Sequence, residues 1–320
     1  MKAICVNEFG APDVMRLEEI ETPQVGANQI LVKVEAIGVN PVDTYKRSGN
    51  YAHKPSLPYT PGSDAAGTIV ETGEGITKWQ VNQRVYLSGA ITGTYAEYAL
   101  CEESHVHRLP DDVSFEEGAG MGVPFATAYR ALFQKAGVEP GETVFIHGAS
   151  GGVGIAAVQL ASAAGLRVIG TAGTDRGLQL VKEQGADYVV NHHKENYLDE
   201  VLGLADGEGV DVVIEMLANV NLNKDFEVLK KGGRVVVIGN RGTLEFNPRL
   251  TMSKEATIHG MSLHNATQDV LKKIHSALEA GLEKGFLRPV IGKKFSLAEA
   301  PKAHEDVLAA GAFGKIILVP

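Results

Sequence analysis

The sequence predicts an α/β protein: a doubly wound parallel sheet joined to a second, β-rich domain. Three observations lead there. The apolar, β-branched run Val144-Phe145-Ile146-His147 enters the turn Gly148-Ala149-Ser150-Gly151-Gly152-Val153-Gly154, which passes directly into the helix-compatible Ile155-Ala156-Ala157-Val158-Gln159-Leu160-Ala161. From about Ser114 onward, strand-like and helix-like segments alternate, the pattern of βαβ units. Before that point apolar and polar residues alternate along short runs, which marks half-buried strands.

In chain order, Met1-Lys2-Ala3-Ile4-Cys5-Val6 reads as a strand, and segments 29–37, 67–71 and 95–100 alternate in the same way. Gly and Pro punctuate them, most densely at Pro58-Tyr59-Thr60-Pro61-Gly62. Strand candidates 144–147, 168–171, 188–190, 210–215, 234–238 and 257–261, with helices between them, complete one doubly wound sheet. A helix over 268–280, the stretch Pro289-Val290-Ile291-Gly292, a short helix over 299–309 and a closing strand over 315–318 follow. That tail is too short for a domain, so it is expected to return to the first one. The predicted domains are 1–120 with 265–320, and 121–264.

The chain has 320 residues, enough for two domains and a large core. Its net charge of −9 argues against nucleic acid as the main partner, because phosphate binding wants a basic face. No apolar run approaches the length of a membrane span, and the first residues lack the layout of a signal peptide, so a cytoplasmic location is expected. Cys5 and Cys101 are expected as free thiols there.

The glycine turn reads A-x-G-x-x-G, with Ala149 at the usual first glycine. Gly151 lets the backbone approach a pyrophosphate, Gly154 lets helix pack on strand, and the unpaired N–H groups of the helix start hold the anion. In NAD-binding folds an acidic residue ending the second strand binds the ribose hydroxyls. Here that strand ends Thr171-Ala172-Gly173-Thr174, and Ala172 stands where the acid would be. Nothing repels a 2′-phosphate, Gly173 leaves room, Thr174 offers a hydroxyl, and Arg176 or His192 could supply the donor contact. NADPH is therefore the expected cofactor. Adjacent His192 and His193 do not have a metal-ligand spacing.

A β-rich first domain, a dinucleotide domain and a short C-terminal return resemble the medium-chain dehydrogenase/reductase superfamily. That resemblance implies a GroES-like catalytic domain beside a Rossmann domain. The zinc alcohol dehydrogenases of this superfamily carry a catalytic Cys, a Gly-His-Glu motif and a four-cysteine lobe. Here Asn40 stands at the Cys, Gly62-Ser63-Asp64 replaces Gly-His-Glu, and two cysteines cannot make the lobe. No metal is expected, and without a Lewis acid to stabilise an alkoxide, alcohol oxidation loses its usual device. Reduction of an electrophilic acceptor, a quinone or an activated alkene, needs less help.

Gly38-Val39-Asn40-Pro41-Val42-Asp43-Thr44-Tyr45, Pro61-Gly62-Ser63-Asp64-Ala65-Ala66-Gly67, the glycine turn, Glu215-Met216-Leu217-Ala218-Asn219-Val220-Asn221-Leu222 and Ile238-Gly239-Asn240-Arg241-Gly242-Thr243 resemble the zeta-crystallin family of NADPH:quinone oxidoreductases. The resemblance runs from Phe9 to Gly314-Lys315. It implies that Tyr45, Ser150, Gly151, Gly152, Val153, Gly173, His192, Asn221, Ile238, Gly239, Asn240 and Arg241 line the NADPH site. Bacterial members of this kind often carry a lysine where Gly177 stands, which leaves the 2′-phosphate partner open between Arg176 and His192.

The nicotinamide is expected to point toward the 40–45 loop and to pass a hydride to a planar acceptor, with the gain coming from proximity and water exclusion. Tyr45 either supplies or orients the proton, or packs against the cofactor while solvent supplies it. Asn40 either shapes its loop or contacts the substrate. Asp64 is expected to organise the local loop, Tyr51 and Tyr59 to edge the acceptor pocket or to sit exposed, Glu116-Glu117 to be a solvated helix start, and His105-x-His107 to lie on a surface strand. An enone or 2-alkenal reductase shares all of these features. An abundant crystallin-type structural protein with secondary RNA binding is the reading from another class. Strand 257–261, at the end of the sheet, is expected to pair with a second copy in a homo-oligomer, dimer or tetramer.

Overall fold

The computed structural model describes all of Met1–Pro320. The chain divides into two compact units. The first comprises Met1–Val123, Gln268–Ala310 and Gly314–Pro320; the second comprises Pro124–Thr267 and Gly311–Phe313. The tail thus belongs to the first unit except for its three residues Gly311–Phe313.

In the first unit, β1 (Lys2–Val6) pairs antiparallel with β2 (Met15–Glu19). β3 (Gln29–Val39) is the spine of the larger sheet and pairs antiparallel with both β4 (Asp64–Thr72) and β6 (Tyr98–Glu102). β5 (Arg84–Ser88) follows β4, and β7 (Val106–Arg108) follows β5. β3 can be the spine because Ile30, Val32, Val34, Ala36 and Ile37 are all buried, while Lys33 stays exposed. Each fully buried large aliphatic side chain there contributes about 1.5–3 kcal/mol. Segment 95–100 is not one strand. Tyr95 and Ala96 peel away to meet β1, through the Ala3↔Ala96 bridge and the Ile4 N–H bond to the Tyr95 carbonyl, and only Tyr98 onward joins β3.

The second unit holds β8 (Thr143–Ile146), β9 (Arg167–Ala172), β10 (Tyr188–Asn191), β11 (Val210–Glu215), β12 (Leu229–Val237) and β13 (Thr257–Gly260). They form one parallel sheet in the order β10-β9-β8-β11-β12-β13, which confirms the doubly wound reading. β11 is buried at every position, as a central parallel strand covered on both faces must be. The topological switch lies between β8 and β11, where the chain order reverses, and ligands of such sheets bind outside the carboxyl ends of the strands at that point. β13 ends the sheet, and its Thr257, Ile258 and Gly260 are exposed.

The chain then re-enters the first unit with the helix Gln268–Glu283, β14 (Ile291–Ser296) and β15 (Lys315–Val319). β15 lies antiparallel to β3, with Ile317 opposite Gly38, and parallel to β14. The expected helix over 299–309 is shorter, Ala300–Asp306, because a 3-10 turn, Leu297–Glu299, precedes it.

Candidate active site

The glycine turn of the second unit follows β8. Gly148 has φ +56°, a left-handed conformation that favours glycine. Ala149 at the first-glycine position is fully buried and donates its N–H to the Thr171 carbonyl at 2.8 Å, so a methyl is tolerated there. A Cβ on Gly154 would stand 2.5 Å from Ala149 Cα, which explains the glycine by close helix–strand packing. The helix Gly152–Ala163 has Gly151 as its N-cap with no side-chain cap, so its first-turn N–H groups face outward for an anion. The Ser150 hydroxyl donates to the Ala312 carbonyl at 2.7 Å and ties the turn to the Gly311–Phe313 segment.

Around the turn, the carboxyl ends of five parallel strands bring the sequence-singled residues onto one edge of the sheet. Gly173 follows β9, His192 follows β10, Met216 to Asn221 follow β11, and Ile238, Gly239, Asn240 and Arg241 follow β12. Gly173 touches the histidines: a Cβ there would lie 2.9 Å from His192 Nε2 and 2.6 Å from His193 Nε2. The guanidinium of exposed Arg176 stacks 3.8 Å over the Phe313 ring. The Thr174 hydroxyl accepts the Gly177 N–H at 3.1 Å and caps the helix Asp175–Glu183, so its oxygen serves the helix. Gly177 is buried, and a Cβ there would sit 3.0 Å from the Ala172 Cβ and 3.3 Å from Ser150 Oγ, so any side chain would press on the turn. The Arg241 N–H is fixed by Asn219 Oδ1 at 2.9 Å, and Asn240 Nδ2 reaches the Gly242 carbonyl at 2.5 Å.

Directly beneath this edge lies a cluster that motif reading missed. His147 Nε2 is 2.8 Å from Asp225 Oδ1 and 3.4 Å from Glu215 Oε2, and all three residues are buried. Burial pushes Glu215 up to about 7 and Asp225 up to about 7, and pushes His147 down. Glu215 Oε1 accepts the Leu217 N–H and, at 3.3 Å, Asn221 Nδ2.

In the first unit, Asn40 is the N-cap of the short helix Pro41–Arg47, and Tyr45 lies within that helix. The Asn40 amide is fully engaged. Its oxygen accepts Lys315 Nζ at 2.5 Å, its nitrogen donates to Asp64 Oδ2 at 2.9 Å, and it is 2% exposed. Lys315 also reaches Asp64 Oδ2 at 3.1 Å, and Asp64 Oδ1 accepts the Val123 N–H at 2.8 Å, so Asp64 organises this loop. Gly38 makes the approach possible, since a Cβ there would lie 2.8 Å from the Lys315 side chain. Asp43, buried and pushed up to about 6 by that burial, accepts the Asn40 N–H at 2.9 Å and the Tyr95 hydroxyl at 3.3 Å. Tyr45 itself is half-buried.

Comparison with known proteins now adds the decisive observation. A model of the "Alcohol dehydrogenase GroES-like domain" matches residues 26–111, and one of "Zinc-binding dehydrogenase" matches residues 152–279. Quinone oxidoreductase of Homo sapiens is 49% identical over 100% of this chain and 98% of its own. The chain belongs to the quinone oxidoreductase family. Among solved structures, a mycobacterial protein complexed with NADPH superposes with a TM-score of 0.91 at 31% identity, covering 100% of both chains. The Escherichia coli quinone oxidoreductase complexed with NADPH gives 0.89 at 28% identity, again over 100% of both. GroES-like and Rossmann parts are thereby established as the architecture.

Against this family background the first-unit cluster takes on a meaning. Asn40, Ser63 and Asp64, which the resemblance sets at the zinc-ligand positions, include a pair with a lysine ammonium already between them, Asn40 and Asp64. A divalent ion does not fit a donor set that is occupied by a cation of the chain itself. One expectation needs correction. His107 is not on a surface strand: it is buried, stacked 3.7 Å on His275 and beside Tyr86, whose hydroxyl meets His275 Nδ1 at 3.1 Å. Burial pushes both histidines down, His275 to about 2, so they serve as neutral core rings. Glu116 and Glu117 lie in the first turn of the helix Phe115–Ala119 as expected; there Glu116 also meets Lys294 Nζ at 2.6 Å on the surface, and Glu117 closes a capping box with Ser114.

Proposed function

We propose that the chain is an NADPH-dependent quinone reductase that works without a metal. The observation that carries the reading is the uncapped helix start at the switch point of the sheet, in a chain whose relatives are quinone oxidoreductases. NADPH, when bound, supplies the hydride. The N–H groups of Gly152 and Val153 hold its pyrophosphate, with Gly151 leaving the approach open and Ser150 fixing the turn. Gly173, His192 and Arg176 receive the 2′-phosphate, which neutral Ala172 does not repel. Asn221 and Ile238, Gly239, Asn240 and Arg241 border the remainder of the dinucleotide. Tyr45 is assigned to the acceptor, and Asn40, its amide engaged at both ends, positions the helix that carries Tyr45. Lys315 replaces the metal as the cation facing Asp64, which is why an already electrophilic quinone is the favoured substrate class.

The kinetic test compares NADPH with NADH and an ortho-quinone with a 2-alkenal, before and after treatment with a strong chelator. NADPH is expected to win in kcat/KM by about tenfold or more, the worth of one charge-assisted hydrogen bond. The quinone is expected to exceed the alkenal, and chelation to change nothing. Equal cofactor values, a better alkenal, or loss of activity restored by zinc would each overturn the corresponding part.

The reading extends to a homo-oligomer, dimer or tetramer, joined along the exposed edge of β13. No helix is long and apolar enough to cross a membrane, and the free thiols Cys5 and Cys101 suit a reducing cytoplasm. Light scattering should report a multiple of 34.0 kDa; a clean 34.0 kDa species would refute the assembly.

A further inference from the structure

We propose that His147, Glu215 and Asp225 form a proton-linked positioning group for the dinucleotide, so that binding the anionic cofactor draws a proton into the buried cluster. The inference rests on the dinucleotide reading of the second unit. Its basis is where the cluster sits and what it holds. His147 is the residue before Gly148, and Glu215 carries the Leu217 N–H and the Asn221 amide, so both strand ends that border the expected site are tied to it. Two carboxyls share this space with one imidazole and no lysine or arginine. Glu215 Oε2 and Asp225 Oδ2 are buried without a hydrogen-bond partner. Buried charge of that kind is relieved by protons.

The alternative relief is a divalent cation, since the three residues offer ligand atoms within 4.8 Å of one another. The 2.8 Å between His147 Nε2 and Asp225 Oδ1 is a hydrogen-bond length, which places a proton between those two atoms. The ionisable groups that face the cluster from neighbouring elements are few. Tyr197 comes from the helix Tyr197–Leu204; burial first, then Asp225 and Glu215, push it up to about 12. Glu227 acts on Tyr197 from the helix Ala218–Val228, and His192 faces His147. Tyr197 stays neutral at working pH, so the proton count of the cluster is set by its own three members together with His192.

The sign follows from charge. Each proton lost from the cluster leaves one more negative charge under the turn that receives a pyrophosphate. Affinity therefore falls as pH rises through the range in which Glu215 and Asp225, both lifted to about 7, release protons. The 2′-phosphate of NADPH titrates nearby and pulls the other way, so NADH, which lacks it, is the cleaner probe.

The experiment measures the dissociation constant of NADH and of NADPH by nicotinamide fluorescence between about pH 6 and about pH 8. It also measures the protons taken up per dinucleotide, from binding enthalpies in buffers of different ionisation enthalpy. For the parent protein the NADH constant should rise several-fold across the range, with a fraction of a proton taken up. Asp225→Asn should make the rise less steep and reduce the uptake while keeping His192 in place; Glu215→Gln serves if that variant does not fold. A pH-independent NADH constant with no proton uptake in the parent overturns the proposal, and so does a stoichiometric metal lost in Asp225→Asn. Failure of both dinucleotides to bind at any pH overturns the dinucleotide reading instead.

Discussion

Each unit of the molecule buries a small cluster of charge, and the two neutralise it by different means. The first unit brings its own cation: Lys315 stands against Asp64 at 3.1 Å, with side-chain exposures of 5% and 0%. The second unit brings none, and leaves Glu215 and Asp225 to be compensated by His147 and by protons. A fixed ammonium supplies the first cluster's counter-charge from within the chain. A cluster of carboxyls without a cation is stable in one protonation state and strained in another. The same chain therefore holds one buried cluster with a cation of its own and one that has none.

The sharpest way to break this comparison is to remove the fixed cation. Lys315→Met leaves the Asp64 carboxylate buried without its partner, and such a loss costs about 3–5 kcal/mol. Adding Asp64→Asn removes the stranded charge, so the double variant should regain much of that loss. Urea unfolding of both variants checks it. A double variant as unstable as the sum of its parts would mean that the ammonium acts through packing alone.

A smaller effect separates the second cluster. Glu215 and Asp225 keep protons in the folded chain at pH values where the unfolded chain, at ordinary values of 4.5 and 3.8, has released them. Their contribution to stability is present at low pH and is lost as pH rises toward about 7, with a limiting slope of about 1.4 kcal/mol per pH unit for one proton. His147, held neutral by burial, opposes this below its ordinary 6.5. Asp225→Asn should therefore make the stability profile of the parent less steep. Unfolding midpoints across the acid-to-neutral range measure the difference, and identical profiles for parent and Asp225→Asn would contradict it.

The two clusters also differ in how legible they were. What depends on neighbours in sequence could be read: the glycine turn, the parallel strands and the neutral Ala172 at the end of the second strand. What could not be read depends on residues far apart in the chain. Lys315 meets Asp64 across 251 positions, and His147 meets Asp225 across 78. His147 looked like the end of a strand, and Lys315 like the polar start of another. His107 misled for the same reason. An alternating His-x-His suggests an outward face, but His275, on a distant helix, covers that ring. Thr174 was legible as a hydroxyl near the expected phosphate, yet the adjoining helix needed a cap.

Lys315 also sets an order of events during synthesis. Its strand, β15, pairs with β3 and closes the first sheet, yet the ribosome makes it only after the whole stretch Pro124–Thr267. Domains tend to fold as units while the chain emerges. The second unit has all six of its strands in one continuous stretch and can assemble early. The first must wait, with β3 lacking a neighbour and Asp64 lacking its counter-charge, until the last strand arrives. The last strand to be made is thus the one that brings the buried ammonium to Asp64.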